Sequence, residues 1–426
     1  MELLGILFGI FLGLAFLGVP IAISLGAAAM FGIIYSGVPL MSLPQRMFFG
    51  VDSFAFMAIP FFILAGKLME TGGISRRLVG FASALLSFMK GGLAVTTVVA
   101  CGFFAALSGS SPGTVAAIGA VMYPEMKRMG YDEELSAGLV TVSGGLGPII
   151  PPSILMVTLG VTTGISIKSM FMAGLLVGII LMVALAVQAY IICARRGYGG
   201  SAAGFRIKEV GRTLVASLPA LGMPIIILGG IYGGFFTPTE AAAIAVVYSL
   251  LVGFFVYREL NLKDLAGILE GSAIASAVIL FIISNSTPFS WIFARQGVAA
   301  FLVGGMTGVF TNGITFLIAT YLILLILGTS IEGNALILLL MPFIYPVSQK
   351  LGIDPTHFGV VTTIALVIGC CSPPVAVNIF TAVGITGLPM PRIIRGMMPF
   401  FILMILFCFV LLFFPQVSTF LPRLLG

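Results

Sequence analysis

Two groups of oxygen-bearing side chains, set among glycines and prolines inside apolar sequence, are where this chain could hold a ligand. The first is Leu107-Ser-Gly-Ser-Ser-Pro-Gly-Thr-Val115, followed after an apolar run by Gly147-Pro-Ile-Ile-Pro-Pro-Ser-Ile154. The second is Leu327-Gly-Thr-Ser-Ile-Glu-Gly-Asn-Ala335, followed by Gly369-Cys-Cys-Ser-Pro-Pro-Val-Ala-Val377. One offset of 222 residues lays Pro124 on Pro346, Gly130 on Gly352, Asp132 on Asp354, Gly147 on Gly369 and Pro151-Pro152 on Pro373-Pro374, without a gap. The chain therefore carries an internal duplication, and both copies are broken at the same places.

Such breaks have a chemistry. Helix N-terminal ends carry partial positive charge and suit an anion, while carbonyls freed at a break suit a cation. Ser108, Ser110, Ser111 and Thr114 add hydroxyls at the first tip, and Thr329, Ser330, Glu332 and Asn334 add oxygens at the second. Oxygen-rich tips without histidine suit a hard cation such as Na⁺. One Na⁺ site is expected from Ser108, Gly109, Ser110, Ser111 and Gly113 with Gly147, Pro148 and Pro151. The other is expected from Gly328, Thr329, Glu332, Gly333 and Asn334 with Cys371, Ser372 and Pro373. An anionic substrate lying between them would meet Ser110, Pro112, Thr114, Pro152, Asn334, Pro374 and Asn378, with Arg295 a candidate for its carboxylate, although surface anchoring is the favoured reading of that arginine. The plainer alternative is that Gly and Pro only kink these helices, since both are common in membrane segments. Two matched breaks, each preceded by a polar tip, weigh against it.

The elements that must position these residues are membrane helices. The chain is 60% hydrophobic and 8% charged, with mean hydropathy +1.22. A soluble domain carries about 25% charged residues. Apolar runs of about 20 residues, the length that crosses a bilayer, recur throughout. The fold class is an all-α polytopic membrane protein. The net charge of +6 reflects basic residues scattered over short loops and points to no nucleic acid. Five cysteines within or beside apolar runs form no disulfide framework, one histidine forms no metal cluster, and no G-x-x-x-x-G-K-[ST] loop binds ATP. No enzyme chemistry stands out.

The first repeat spans residues 1–194: helices over about 2–18, 20–36 and 52–72, a basic arm over 74–90, a hairpin of two half-length helices over 93–128, a broken span over 134–166, and a helix over 169–194. A polar linker, 195–212, follows. The second repeat, 213–426, repeats the order with helices over about 213–233, 239–257 and 265–284, an irregular stretch over 285–312, a hairpin over 314–350, a broken span over 356–387 and a helix over 392–415. The apolar N-terminus reads as a retained first helix. If both hairpins are re-entrant, each repeat has five crossings and the two are inverted.

Among the lesser candidates, Glu332 is the foremost intramembrane charge. Asp52 sits at an expected helix N-terminus, Thr237-Pro-Thr-Glu240 is a capping-box pattern, His357 follows a capping Asp354, and Lys67 with Glu70 is expected to snorkel. Trp291 reads as an interfacial anchor.

At the four motifs Ser108–Thr114, Gly147–Ser153, Gly328–Asn334 with Pro342 and Pro346, and Gly369–Pro374, the chain resembles the large membrane subunit (M, DctM-like) of tripartite ATP-independent periplasmic (TRAP) transporters. The likeness covers essentially the whole length. It implies an ion-transporter-superfamily architecture with an elevator motion, Na⁺ as coupling ion, and uptake of an organic acid such as a C4-dicarboxylate or sialic acid across the bacterial inner membrane. It implies two partners besides the bilayer: a small membrane subunit (Q), expected as a separate chain, and a periplasmic binding protein (P). Glu332 stands where many members are expected to carry Asp. The alternative reading is a stand-alone ion-coupled carboxylate transporter of the same fold; a proton-coupled relative would use Glu332 as carrier.

With re-entrant hairpins, fourteen of the twenty basic residues fall on one side of the membrane and five on the other, with Lys67 inside a span. The richer side is expected to be cytoplasmic and both termini periplasmic. Alkaline phosphatase, active only outside the cytoplasm, should be active when fused at the C-terminus and inactive when inserted in 195–212; the reverse pattern would overturn this topology.

Overall fold

The computed structural model describes residues 2–198, 205–297, 304–306, 308–373 and 376–425, and among them there is no β-strand. The helices of the first half are α1 Glu2–Phe16, α2 Ile21–Tyr35, α3 Ser42–Val51, α4 Ala58–Thr71, α5 Ile74–Leu86, α6 Gly92–Ser108, α7 Ser111–Arg128, α8 Glu133–Ser143, α9 Ile154–Thr163 and α10 Ile167–Arg195. Those of the second are α11 Ile207–Tyr232, α12 Pro238–Leu251, α13 Leu262–Arg295, α14 Gly313–Gly328, α15 Gly333–Lys350, α16 Pro355–Cys371, α17 Val377–Thr386, α18 Met390–Leu411 and α19 Pro415–Leu425. Among the described residues, six helical segments are long and apolar enough to cross a membrane, the longest being Leu262–Arg295.

The duplication is visible in the backbone. Asp132 caps α8 by accepting from the Leu135 N–H, and Asp354, 222 positions on, caps α16 by accepting from Thr356 and His357. Ser110 and Glu332, also 222 apart, cap α7 and α15, accepting from Gly113 and Ala335. Gly130 and Gly352 both take positive φ, 80° and 70°, in the turns that precede α8 and α16. Each of these caps satisfies amide groups that a helix start leaves without an internal partner.

Several expectations need correction. The hairpin helices are not half-length: α6 and α7 have 17 and 18 residues, about 25 Å each. Only the segments flanking the breaks are short, α8 with 11 residues and α9 with 10. The irregular stretch expected from 285 is helical as far as Arg295. There the Ser286 and Thr287 hydroxyls donate to the Ile283 carbonyl and the Asn285 amide to the Phe281 carbonyl. Their polar groups are thus absorbed within the helix, and Pro288 is carried by the buried neighbours Phe289, Ile292 and Phe293. Two further short helices, α3 and α19, have amphipathic sequences too brief to register as spans. Asp52 follows the end of α3 and caps no helix start. α11 begins at Ile207, inside the expected linker, and residues 199–204 lie outside the described ones.

In packing, α13 lies along α2, α3 and α4, and α12 along α4. α5 joins this group to the hairpin, touching α11 on one side and α6 on the other. The hairpins and broken helices interlock: α7 packs on α8 and α17, α15 on α9, α14 on α16, and α8 on α18. Residues 135–160, which include the first break, are buried without interruption. Unsatisfied backbone in hydrocarbon costs several kcal/mol per group, so a break must lie within protein or against a cavity, and this one does.

The second hairpin and break meet backbone to backbone. A β-carbon on Gly369 would lie 2.6 Å from the Gly328 Cα and 2.8 Å from its carbonyl carbon. Neither neighbour is a flexible side chain that could yield. Gly369→Ala should therefore destabilise by about 1–3 kcal/mol, read as a fall of several degrees in the Tm of the detergent-solubilised protein. Gly384→Ala on exposed α17, with nothing within 4 Å, should leave the Tm unchanged or slightly higher. Equal Tm values for the two variants would refute the close contact.

Candidate functional site

At the first tip, α6 ends on Gly109 in the left-handed conformation, φ 61°. The chain then extends through Ser110, whose hydroxyl accepts from the Gly113 N–H at 3.4 Å. Thr114 Oγ1 donates to the Ser110 carbonyl at 2.8 Å and lies 2.8 Å from Ser108 Oγ. Ser111 Oγ donates to the Gly144 carbonyl at 3.2 Å. The tip is thus folded onto its own break, and the Ile154 N–H reaches the Gly109 carbonyl at 3.5 Å. The break consists of a 3-10 turn, Gly144–Leu146, then Gly147–Pro152 with a cis Pro151-Pro152 bond, then Ser153, whose hydroxyl caps α9 at Met156. Gly147, Pro148, Pro151 and Pro152 are all buried.

At the second tip, Glu332 caps α15 through Oε2 and accepts the Asn334 amide on Oε1 at 2.8 Å. Thr329 and Ser330 form a hydroxyl pair 3.2 Å apart at the exposed apex. Gly333 is buried behind them. Ser372 Oγ donates back to the Ile368 carbonyl at 2.9 Å. Pro373 is half-buried, and Pro374 lies outside the described residues.

The two repeats also bond crosswise, which the sequence reading did not anticipate. Asn378, on α17 of the second repeat, donates to Ser111 Oγ at 2.6 Å and to the Thr141 carbonyl at 3.3 Å. Thr158, on α9 of the first repeat, donates to Asn334 Oδ1 at 2.9 Å. Cys371, expected in the second cation site, lies instead against the first broken helix: its sulfur accepts from Asn378 at 3.2 Å and contacts the Thr141 carbonyl. Asn378 Oδ1 and Ser143 Oγ are buried with no hydrogen-bond partner among the described residues. The 222 offset pairs Asn378 with Met156 and Thr158 with Phe380, so copying one half onto the other finds neither. No signal in the sequence marks these two bonds.

A cavity of 430 Å³ opens at the first tip, floored by Ser108, Ser110, Pro112 and Gly113. Its other wall is Ile63, Lys67 and Glu70 of α4 with Ala275 and Ile279 of α13, and Ile154 and Thr381 reach it from α9 and α17. It lies where the α4–α13 group meets the hairpin. The N-terminal end of α7, positive by its backbone dipoles, is part of the floor. A second cavity of 480 Å³ shares Lys67 and Glu70 and adds Lys263 and Asp264. Lys67 thus borders both cavities, and the second lies toward the start of α13. Asn378 and Thr114, expected to touch substrate, are buried in the lattice beneath the tip and do not line the cavity.

Arg295 is not brought to this site. It ends α13 in an exposed position, its guanidinium 5.6 Å from the Trp291 ring, with Arg46 over the same ring at 4.5 Å. Trp291 is the anchor of two cation–π contacts. Glu240 and Thr237 form the expected capping box. His357 is buried in the first turn of α16, with Nδ1 2.8 Å from Ser418 Oγ. Among the described residues no group of three or more His, Cys, Asp or Glu comes together to hold a metal. The oxygens that do converge are hydroxyls, amides and main-chain carbonyls at the first tip, joined by the Glu332 carboxylate at the second.

Residues 8–417 match the family model described as the tripartite ATP-independent periplasmic transporter, DctM component. The C4-dicarboxylate TRAP transporter large permease protein DctM of Rhodobacter capsulatus is 36% identical over 99% of both chains. The sialic acid TRAP transporter large permease protein SiaM of Vibrio cholerae is 35% identical over 99% of both. The isethionate TRAP transporter permease protein DctMQ of Oleidesulfovibrio alaskensis is 39% identical over 98% of this chain and 66% of its own length. In fold, the chain is similar to the crystal structure of the YdaH transporter of Alcanivorax borkumensis, with a TM-score of 0.65 at 15% identity over 88% of both chains. These relatives are named as transporter permeases, not enzymes. A duplicated set of hairpins and broken helices, matched over nearly its whole length, places this chain in the family of TRAP transporter large permeases, the DctM component.

Proposed function

We propose that this chain is the permease of a Na⁺-coupled, binding-protein-dependent importer of a small organic acid in the bacterial inner membrane. The observation that carries the reading is the seam cavity: ligand-sized, floored by a broken-helix tip, and walled by a different group of helices. Relatives are named for a C4-dicarboxylate, for sialic acid and for isethionate, which share an anionic acid group. The α7 N-terminus and Lys67 supply matching positive potential here. In this reading the hairpins and broken helices form the moving unit, and α1–α4 with α11–α13 form most of the scaffold. A small membrane subunit and a periplasmic binding protein complete the assembly.

The residues suited to Na⁺ lie beneath the first tip. The carbonyls of Thr141 and Gly144, the Ser111 and Ser143 hydroxyls and the partnerless Asn378 Oδ1 are oxygen donors of the required hardness. A cation held there would offset the charge of the acid above it. Ser111 and Asn378 belong to different repeats, so an ion on them would fix the first tip against α17. That supports an order in which ion binding sets the tips before the transport unit moves. At the second tip, Glu332, Asn334 and Thr158 form the matching oxygen cluster.

The test is uptake of radiolabelled succinate, N-acetylneuraminate and isethionate by the assembled complex in proteoliposomes. Uptake of at least one should follow an inward Na⁺ gradient and fall to background when K⁺ replaces Na⁺. Ser111→Ala and Asn378→Ala should raise the Na⁺ concentration for half-maximal uptake about tenfold or more, which corresponds to about 1.4 kcal/mol per tenfold. Full-rate uptake in K⁺ under a proton gradient, abolished by Glu332→Gln, would replace Na⁺ coupling with proton coupling. Uptake by the chain alone, without binding protein, would favour the stand-alone transporter.

A further inference from the structure

Lys67 has no structural occupation that accounts for its presence. It lies on a membrane-spanning helix, where an ammonium is costly and marks function. Among the described residues it makes no hydrogen bond and no ion pair. Glu70, one turn on, is close enough for its charge to be felt but does not close a salt bridge. The helical repeat puts Ile63, Gly66, Lys67 and Glu70 on one stripe of α4. The facing stripe of α13 is Gly267, Gly271, Ala275 and Ile279, small at its lower end. The Lys67 Nζ reaches across to Gly271, where a β-carbon would sit 2.9 Å from it. Small residues on α13 thus leave room for an ammonium between the two helices.

The position of that ammonium is specific. Lys67 is the one Lys or Arg among the described residues lining the 430 Å³ cavity, and it also borders the 480 Å³ cavity. It stands at the neck between them. Glu70 borders both cavities as well, so a cation and a carboxylate face the same passage.

We propose that Lys67 is the residue that recognises the acid group of the transported solute, a carboxylate or sulfonate, at the neck between the inner chamber and the outer cavity. Glu70 competes for the same ammonium, which keeps the solute from being held too tightly to leave. The proposal rests on the reading that the organic acid passes through the seam cavity, and it adds which charge selects it. A single mobile ammonium, rather than a bidentate guanidinium, suits a site that must let go.

The experiment uses the assembled complex in proteoliposomes with succinate, N-acetylneuraminate and isethionate as probes. Lys67→Met should raise KM for the carried acid at least tenfold with a smaller change in maximal rate, and Lys67→Arg should recover most of that loss. Glu70→Gln should shift both parameters the other way, lowering KM and slowing turnover. The Tm of purified Lys67→Met should stay within about two degrees of the unsubstituted chain, because Lys67 makes no hydrogen bond or ion pair among the described residues and Met keeps most of its apolar stem. An unchanged KM in Lys67→Met, with normal uptake by the unsubstituted assembly, would overturn this proposal alone. A loss confined to maximal rate, with a large fall in Tm, would also overturn it and assign Lys67 a packing role. Failure of the unsubstituted assembly to carry any of the three acids would remove the transport reading and this proposal with it.

Discussion

An interrupted helix in a membrane protein raises one difficulty: main-chain N–H and C=O groups released within hydrocarbon have no water to turn to. At both hairpin tips and at the first break the structure meets it with polar side chains three residues before the amide they cap. Ser110 takes the Gly113 amide, Ser153 the Met156 amide and Glu332 the Ala335 amide. Ser111 covers the Gly144 carbonyl and Asn378 the Thr141 carbonyl. The polar residues of the two tips are thus first of all a repair of the backbone. A carbonyl or hydroxyl oxygen keeps a second lone pair after the repair, so the same oxygens can also face a ligand. Under the proposed reading the structural and functional roles coincide, and a substitution at Ser111 would act on both.

Much of this was legible in the sequence because the physics is local. Caps, glycine turns and proline breaks depend on a few neighbouring residues, and a duplicated chain states each of them twice. Ser110 and Glu332 look dissimilar, yet the offset identifies them as equivalent, and both proved to be N-caps. What the sequence did not disclose is where the copies stop being alike. Asn378 and Thr158 face each other's tips, but their counterparts in the other half are Met156 and Phe380. Cross-repeat bonds depend on how two helices pass in space, which no periodicity encodes. The same limit explains Lys67: composition marks it as a charge in a span, while only the packing of α4 on α13 shows which way it faces. The stretch Asn285–Pro288 misled for the opposite reason. Its polar residues mimic a loop, and only in place do Asn285, Ser286 and Thr287 turn out to serve their own helix.

Family membership and cavity geometry bear on different questions. The first makes the chain a TRAP large permease. The second concerns how one scaffold could serve solutes as unlike as those for which its relatives are named. Under the proposed reading, a seam cavity with a largely apolar lining, one ammonium beside one carboxylate, and a helix N-terminus would ask little of its occupant beyond size and an acid group. Recognition of the remainder of the solute would then fall to another component, consistent with the proposed dependence on a binding protein.

The continuous helix α13 has one further consequence. Between Glu270 and Arg295 it carries 24 residues without a charge, a rod of about 36 Å in a hydrocarbon film about 30 Å thick. Longer than the film is thick, it can keep both ends wet by tilting, with the angle set by the helices it packs against. By touching α2, α3, α4 and α15 it ties the N-terminal helices to the second hairpin as a brace, which in the proposed mechanism would stiffen the frame against the drag of a sliding unit.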